Sequence, residues 1–190
     1  MSRPTTPGRL VLVGFMGSGK STVGRLVAGA LGWTFVDLDE RVEADQGRSI
    51  GEIFAVLGEP HFRAIEARLA QESLAGDALV LAVGGGWAAE PGRLEALPDG
   101  TLTVWLDVSA EEALRRVEGA PTARPLLDGA DRSDRMERAR ALLRTRAPRY
   151  ALADLKVDTE GRTPEDVRDR ILALLERRPT NHRGGEVTTA

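Results

Sequence analysis

The chain contains no cysteine, which excludes a disulfide framework, a thiolate metal site and a cysteine nucleophile; it suits a reducing compartment, and a cytoplasmic location is expected. Histidine is nearly as scarce. His61 and His182 lack His, Asp or Glu partners at metal-ligand spacing, so both are expected at the surface. No apolar run reaches the roughly eighteen residues of a membrane span. Met1 to Gly8 holds two prolines and no apolar stretch, so neither a signal peptide nor an anchor is expected. Lysine is the last near-absence: Lys20 and Lys156 stand against 24 arginines, a bias read as genome composition, which makes each retained lysine worth inspection.

What is present fits one folded domain. At 190 residues, 42% hydrophobic and 29% charged, the chain lies near globular averages and can bury a substantial core. The net charge of −3 argues against broad attraction to polyanions, so no nucleic-acid partner is expected. The charge is uneven, however: ten arginines face five carboxylates between Arg115 and Arg149. Many of these arginines are expected simply to solvate a helix.

Short apolar runs alternate with helical periods, which predicts an α/β domain with a mainly parallel sheet of five strands: Leu10–Val13, Thr34–Asp37, Ala78–Val83, Thr101–Leu106 and Asp154–Val157. Val23, Leu26, Val27, Ala30 and Leu31 trace one helical stripe toward the sheet, with Gly32 as a stop. Ser49 with Glu52, and Ser109 with Glu112, have capping-box spacing, and Thr163 precedes Pro164 at a helix start. Two segments depart from simple alternation. Residues 40–73 read as helical throughout, an inserted substrate subdomain, and residues 119–131, rich in Gly, Pro and Ala, read as a mobile lid. Tails at about 1–8 and 178–190 are expected to be disordered.

The strongest chemical signal is Gly14-Phe-Met-Gly-Ser-Gly-Lys-Ser-Thr22, a G-x-x-x-x-G-K-[ST] match after a strand and before a helix. Its glycines permit a tight loop whose N–H groups point at a polyphosphate, and the helix end adds partial positive charge. Lys20 suits the β- and γ-phosphates, and the Ser21 hydroxyl suits Mg²⁺ held on the same oxygens, with Thr22 as support. The reaction must be read elsewhere, because many activities share this loop. In Phe35-Val-Asp-Leu-Asp39 the alternation of a strand predicts Asp37 and Asp39 on one side at the strand's end, one near a metal and one near an acceptor hydroxyl; an acid pair that merely complements a helix N-terminus is equally consistent with the spacing. Arg63 and Glu66 stand one helical turn apart and can pair.

Taken in order, GFMGSGKSTVGR at 14–25, F-x-D-x-D at 35–39, GE-x-x-FR-x-x-E at 58–66, the triple glycine 84–86, RPLL at 124–127 and the R-x-P-x-Y-like element at 146–150 resemble the shikimate kinase family over about residues 10–175. The resemblance implies a P-loop NTPase fold, Mg²⁺ with ATP as co-substrate, and transfer of the γ-phosphoryl group to the 3-hydroxyl of shikimate. It implies that Gly17, Ser18, Gly19, Lys20, Ser21 and Thr22 hold the phosphates. Ser21 would bind the metal directly and Asp37 through water. Asp39, Arg63, Gly85, Gly86 and Arg146 would hold shikimate, with Glu66 orienting Arg63. Ile50, Phe54 and Phe62 would line the acceptor pocket. Lys20, Asp39 and Arg124 would be catalytic, Arg124 closing over the phosphates, and Arg116 and Arg162 would flank the adenine. Trp87 departs mildly from the small residue common after the triple glycine.

A gluconate-type kinase is the nearest alternative, but it usually carries a histidine soon after the second-strand acid, and Asp39-Glu-Arg-Val has none. The N-K-x-D guanine reader of a regulatory GTPase is absent. An RNA-binding module fits poorly with an acidic chain. A monomer is expected.

Overall fold

The computed structural model describes residues 7–118 and 131–177. Five strands form one parallel sheet: β1 (Arg9–Gly14), β2 (Thr34–Asp37), β3 (Leu79–Ala82), β4 (Thr101–Asp107) and β5 (Leu155–Asp158), in the order β2-β3-β1-β4-β5. Seven helices are described: α1 (Lys20–Leu31), α2 (Leu38–Gln46), α3 (Ile50–Leu74), α4 (Gly85–Ala89), α5 (Ala110–Glu118), α6 (Arg132–Tyr150) and α7 (Pro164–Glu176). Each expected strand is present, Thr34–Asp37 with the expected bounds and the others within one residue at each end. The chain leaves β1 toward β2 and β3 and later builds β4 on β1's other side, so the carboxyl ends flanking β1 border the crevice where such sheets bind ligands.

Both faces of the sheet are covered, which is why its strands read as unbroken apolar runs. Val11, Val13, Leu79, Leu81, Val83 and Trp105 pack toward Leu38, Ile53, Phe62, Leu69 and Tyr150. Leu10, Leu12, Val80, Leu102, Val104 and Leu106 pack toward Val23, Val27, Val167 and Ile171. The buried face of α1 is rotated from the expected stripe: Val23, Gly24, Val27 and Ala28 are inside and Ala30 is exposed. Gly24 belongs there because the ring of Phe35 and the Leu12 side chain occupy the space a β-carbon would need.

Residues 40–73 are helical as expected, with two interruptions. Gly47 closes α2 with φ 60, and Gly58, with φ 80 and ψ 165, kinks α3. Ser49 and Glu52 complete a reciprocal capping box, as do Thr163 and Asp166 ahead of Pro164. The Ser109–Glu112 box is only half made. Ser109 Oγ accepts from the Glu112 amide, but the Glu112 carboxylate turns to Arg115 and Arg116, since a guanidinium outcompetes a neutral amide for it. The expected lid lies outside the described residues except Asp131, which caps α6; the expected tails also lie outside, apart from Pro7 and Gly8.

Candidate active site

The loop between β1 and α1 is shaped by glycine where no other residue fits. Gly17 has φ 69, and a methyl group on it would lie 2.5 Å from the carbonyl oxygen of Ala113 in α5. Gly19 caps α1 with no side-chain hydrogen bond, and the first turn of α1 carries no acid, so the helix N-terminus is arranged for an external anion. Lys20 turns its Nζ onto the carbonyl oxygens of Gly14 and Phe15, at 2.9 Å each. The residues Gly17 to Thr22, Asp37, Asp39, Arg116 and Arg162 all line one cavity of about 620 Å³.

Asp37 and Asp39 reach that cavity in a different way from the expected one. β2 ends at Asp37, which caps α2 by accepting from the amides of Asp39 and Glu40, and Asp39 lies in the first helical turn. Strand alternation therefore does not place the pair; the strand-to-helix turn does. The two acids therefore complement the N-terminus of α2 and also line the cavity beside the loop. Ser21 Oγ donates to Asp37 Oδ2 at 2.5 Å. A hydroxyl and a carboxylate together form a hard oxygen set, and no group of three His, Cys, Asp or Glu at metal-binding distance occurs among the described residues. These donors fit a magnesium ion that takes most of its ligands from phosphate and water.

Arg63, Arg146, Gly85 and Gly86 do not line that cavity and form a second group beside it. A methyl group on Gly84 would lie 2.7 Å from Glu66 Oε1 and 3.1 Å from Asp39 Oδ1. One on Gly85 would meet the Tyr150 hydroxyl at 2.9 Å, the Gly14 oxygen at 3.2 Å and Arg146 Nη1 at 3.4 Å, and one on Gly86 would run into the Arg63 guanidinium. The triple glycine is thus the floor on which two arginines, two acids and the phosphate loop converge. Arg63 donates to Glu66 at 2.7 Å and to Glu59 at 3.0 Å. Burial works against its charge, but the two acids outweigh it and hold the guanidinium above its usual pKa. Burial pushes the Glu66 carboxyl up to about 7 against the pull of Arg63, and nearby Asp39 adds to the rise.

Phe62 is buried in the core with its ring centroid 4.8 Å from that of Phe54, while Phe54 and Ile50 are half-buried. Trp87 is buried too, with the Arg93 guanidinium 5.8 Å from its ring centre. His61 is exposed, as expected. Arg162 stands 3.9 Å from Asp158. Arg124 and His182 lie outside the described residues.

Tyr150 joins this second group without being among the candidate site residues. Its hydroxyl donates to the Gly85 carbonyl oxygen at 2.9 Å and interacts with Arg146; burial, opposed by that arginine, raises its pKa to about 12, so it remains a donor. Its signal was the four-residue spacing from Arg146, which puts both side chains on one face of α6.

The sequence model of the shikimate kinase family matches residues 16–176. The shikimate kinase of Moorella thermoacetica is 42% identical over 174 residues, covering 90% of this chain and 98% of its own. The solved structure of Acinetobacter baumannii shikimate kinase in complex with shikimate superposes with a TM-score of 0.83 at 35% identity, covering 91% of this chain and 94% of its own. A gluconokinase from Sinorhizobium meliloti, at 23% identity and a TM-score of 0.62 over 90% of this chain and 93% of its own, shares the fold alone. With a phosphate loop, a paired-arginine floor and a family match across both, the chain belongs to the shikimate kinase family.

Proposed function

We propose that the chain transfers the γ-phosphoryl group of ATP to the 3-hydroxyl of shikimate, giving ADP and shikimate 3-phosphate, a step toward chorismate and the aromatic amino acids. The observation that carries this reading is the position of Asp39, which lines the phosphate-loop cavity and also lies against Gly84 beside Glu66. A phosphate donor and a small carboxylate acceptor seated in the two groups would meet at that residue.

Phosphoryl transfer needs little covalent help from a protein, so the demand is alignment and charge neutralisation. The loop residues Gly17 to Thr22 hold the phosphates, and Lys20 leaves its carbonyl partners for the β- and γ-oxygens. Ser21 and the water-linked Asp37 hold Mg²⁺, which when bound supplies positive charge to the phosphate oxygens. Arg124 adds a further cation from the lid at 119–131. Arg63 and Arg146 grip the acceptor carboxylate, with backbone groups of Gly85 and Gly86, in a subdomain of about residues 40–73. Glu66 keeps the Arg63 fork aimed, and the forked geometry suits a planar carboxylate. Asp39 orients the attacking hydroxyl and takes up its proton as the bond from the hydroxyl oxygen to the γ-phosphorus forms and the bond from that phosphorus to the β,γ-bridging oxygen breaks, its electron pair leaving with ADP. Arg116 and Arg162 flank the adenine. The enzyme works as a cytoplasmic monomer, without nucleic-acid or membrane partners; no helix among the described residues is long and apolar enough to cross a membrane.

The test is ADP release from Mg·ATP with shikimate, quinate, gluconate or no acceptor. Strong stimulation by shikimate alone is expected. Equal or greater stimulation by gluconate would replace this reading with that of another small-metabolite kinase.

A further inference from the structure

We propose that Arg116 is a positioning residue for the phosphate loop: by bridging the Gly17 carbonyl to Thr159, it makes the base side and the phosphate side of the cavity one rigid piece. This rests on the reading that the loop seats the ATP phosphates, and goes beyond a role for Arg116 at the adenine alone.

Four N–H groups of the guanidinium are committed to protein. Nε donates to Glu112 at 2.8 Å, Nη1 to the Gly17 carbonyl and the Thr159 hydroxyl at 3.2 Å each, and Nη2 to the Thr159 carbonyl at 2.7 Å. Thr159 is itself fastened to the end of β4, since its amide and hydroxyl both donate to the Asp107 carbonyl, at 3.0 and 2.9 Å. A continuous chain of hydrogen bonds therefore runs from the sheet through Thr159 and Arg116 into the loop. Thr159 is buried, so the link is shielded from competing water.

The loop end of this chain is the Gly17–Ser18 peptide. Its oxygen accepts from Arg116, and its N–H donates to the Phe15 carbonyl at 3.3 Å, so the plane of the peptide is held from both sides. Its orientation decides which neighbouring amides face inward. An unpaired carbonyl oxygen there would also set partial negative charge beside a polyphosphate, and the guanidinium offsets it. Glu112 fixes the arginine in turn. Arg115 and Arg116 hold its carboxyl down to about 2, so it stays ionised at working pH. A lysine carries the charge without the fork and cannot bridge Gly17 and Thr159 together.

The experiment separates phosphate from base. Binding of magnesium tripolyphosphate, which has no base, of Mg·ATP and of shikimate is measured by calorimetry on the full chain and on R116M, R116K and T159V. The loss of a hydrogen-bonded charge predicts that R116M weakens tripolyphosphate about tenfold. R116K recovers only part of that, T159V loses about threefold in the same direction, and shikimate affinity is unchanged in all three. Loss confined to ATP, with tripolyphosphate binding intact, would reduce Arg116 to a contact with the base and overturn the proposal. A parallel loss of shikimate binding would do so as well, as general destabilisation. Wild-type protein that binds neither ATP nor tripolyphosphate would remove the loop reading itself and the proposal with it.

Discussion

Arg63 rests on a carboxylate almost wholly withdrawn from water: Nη1 donates to Glu66 Oε2 at 2.7 Å, and Glu66 is 1% exposed. Its second oxygen, Oε1, is buried without a hydrogen-bond partner and faces Gly84. The acid that holds Arg63 is thus kept at an energetic cost, because a buried charge is stable only while its partner stays in place.

That cost appears as a pH dependence. Unfolded, Glu66 titrates near 4.5; folded, near 7, so between these values the folded state binds the extra proton. Stability linked to Glu66 is full below pH 4.5 and is lost as pH rises through 7. Urea unfolding of wild type and Glu66→Gln from pH 4 to 8 is expected to show wild type losing about 3 kcal/mol relative to the variant across that interval. A wild type that gains stability there instead contradicts the burial assignment.

Asp39→Asn keeps the shape of the first turn of α2 and removes the charge proposed to meet the acceptor hydroxyl. Turnover is expected to fall about 10²- to 10⁴-fold, the range for a lost general base, while ATP binding measured by calorimetry changes little. Equal losses in both would assign Asp39 to the nucleotide.

Gly86→Ala puts a methyl group into the Arg63 guanidinium. The arginine must move, and an overpacking cost of this kind predicts a rise of about tenfold or more in the KM for shikimate. The KM for ATP is expected to stay within about twofold, because the three atoms nearest to that methyl group all belong to Arg63. Steady-state kinetics with each substrate varied in turn decides between this and a general loss.

Tyr150→Phe deletes the hydrogen bond to the Gly85 carbonyl and keeps the ring in the core. A loss of about 1 kcal/mol in stability is expected, with a rise in the KM for shikimate and kcat little changed. An unaltered KM would make Tyr150 a core residue only.

The fold was legible because its signals are local. Continuous apolar strands, a stripe at helical spacing, a glycine stop at Gly32 and a cap before Pro164 each follow from the chemistry of neighbouring residues, and the phosphate loop is itself a contiguous run. Local rules failed where a long-range partner won. Glu112 left its capping box for two arginines, and Gly24 replaced Ala30 on the inner face because the Phe35 ring and Leu12 fill the space beneath it.

By itself, then, the sequence determined the parallel α/β architecture and the phosphate loop, both properties of short segments, and through its family resemblance it supplied the residues proposed for the acceptor site. Only the tertiary structure decided that Asp39 enters from a helix turn, that Tyr150 supports Gly85, and that Arg116 ties Gly17 to Thr159. Those relationships join residues up to 99 positions apart, and no local preference encodes them. They exist because sheet packing brings the carboxyl ends of β1, β3 and β4 together, where side chains from distant helices must share one small space.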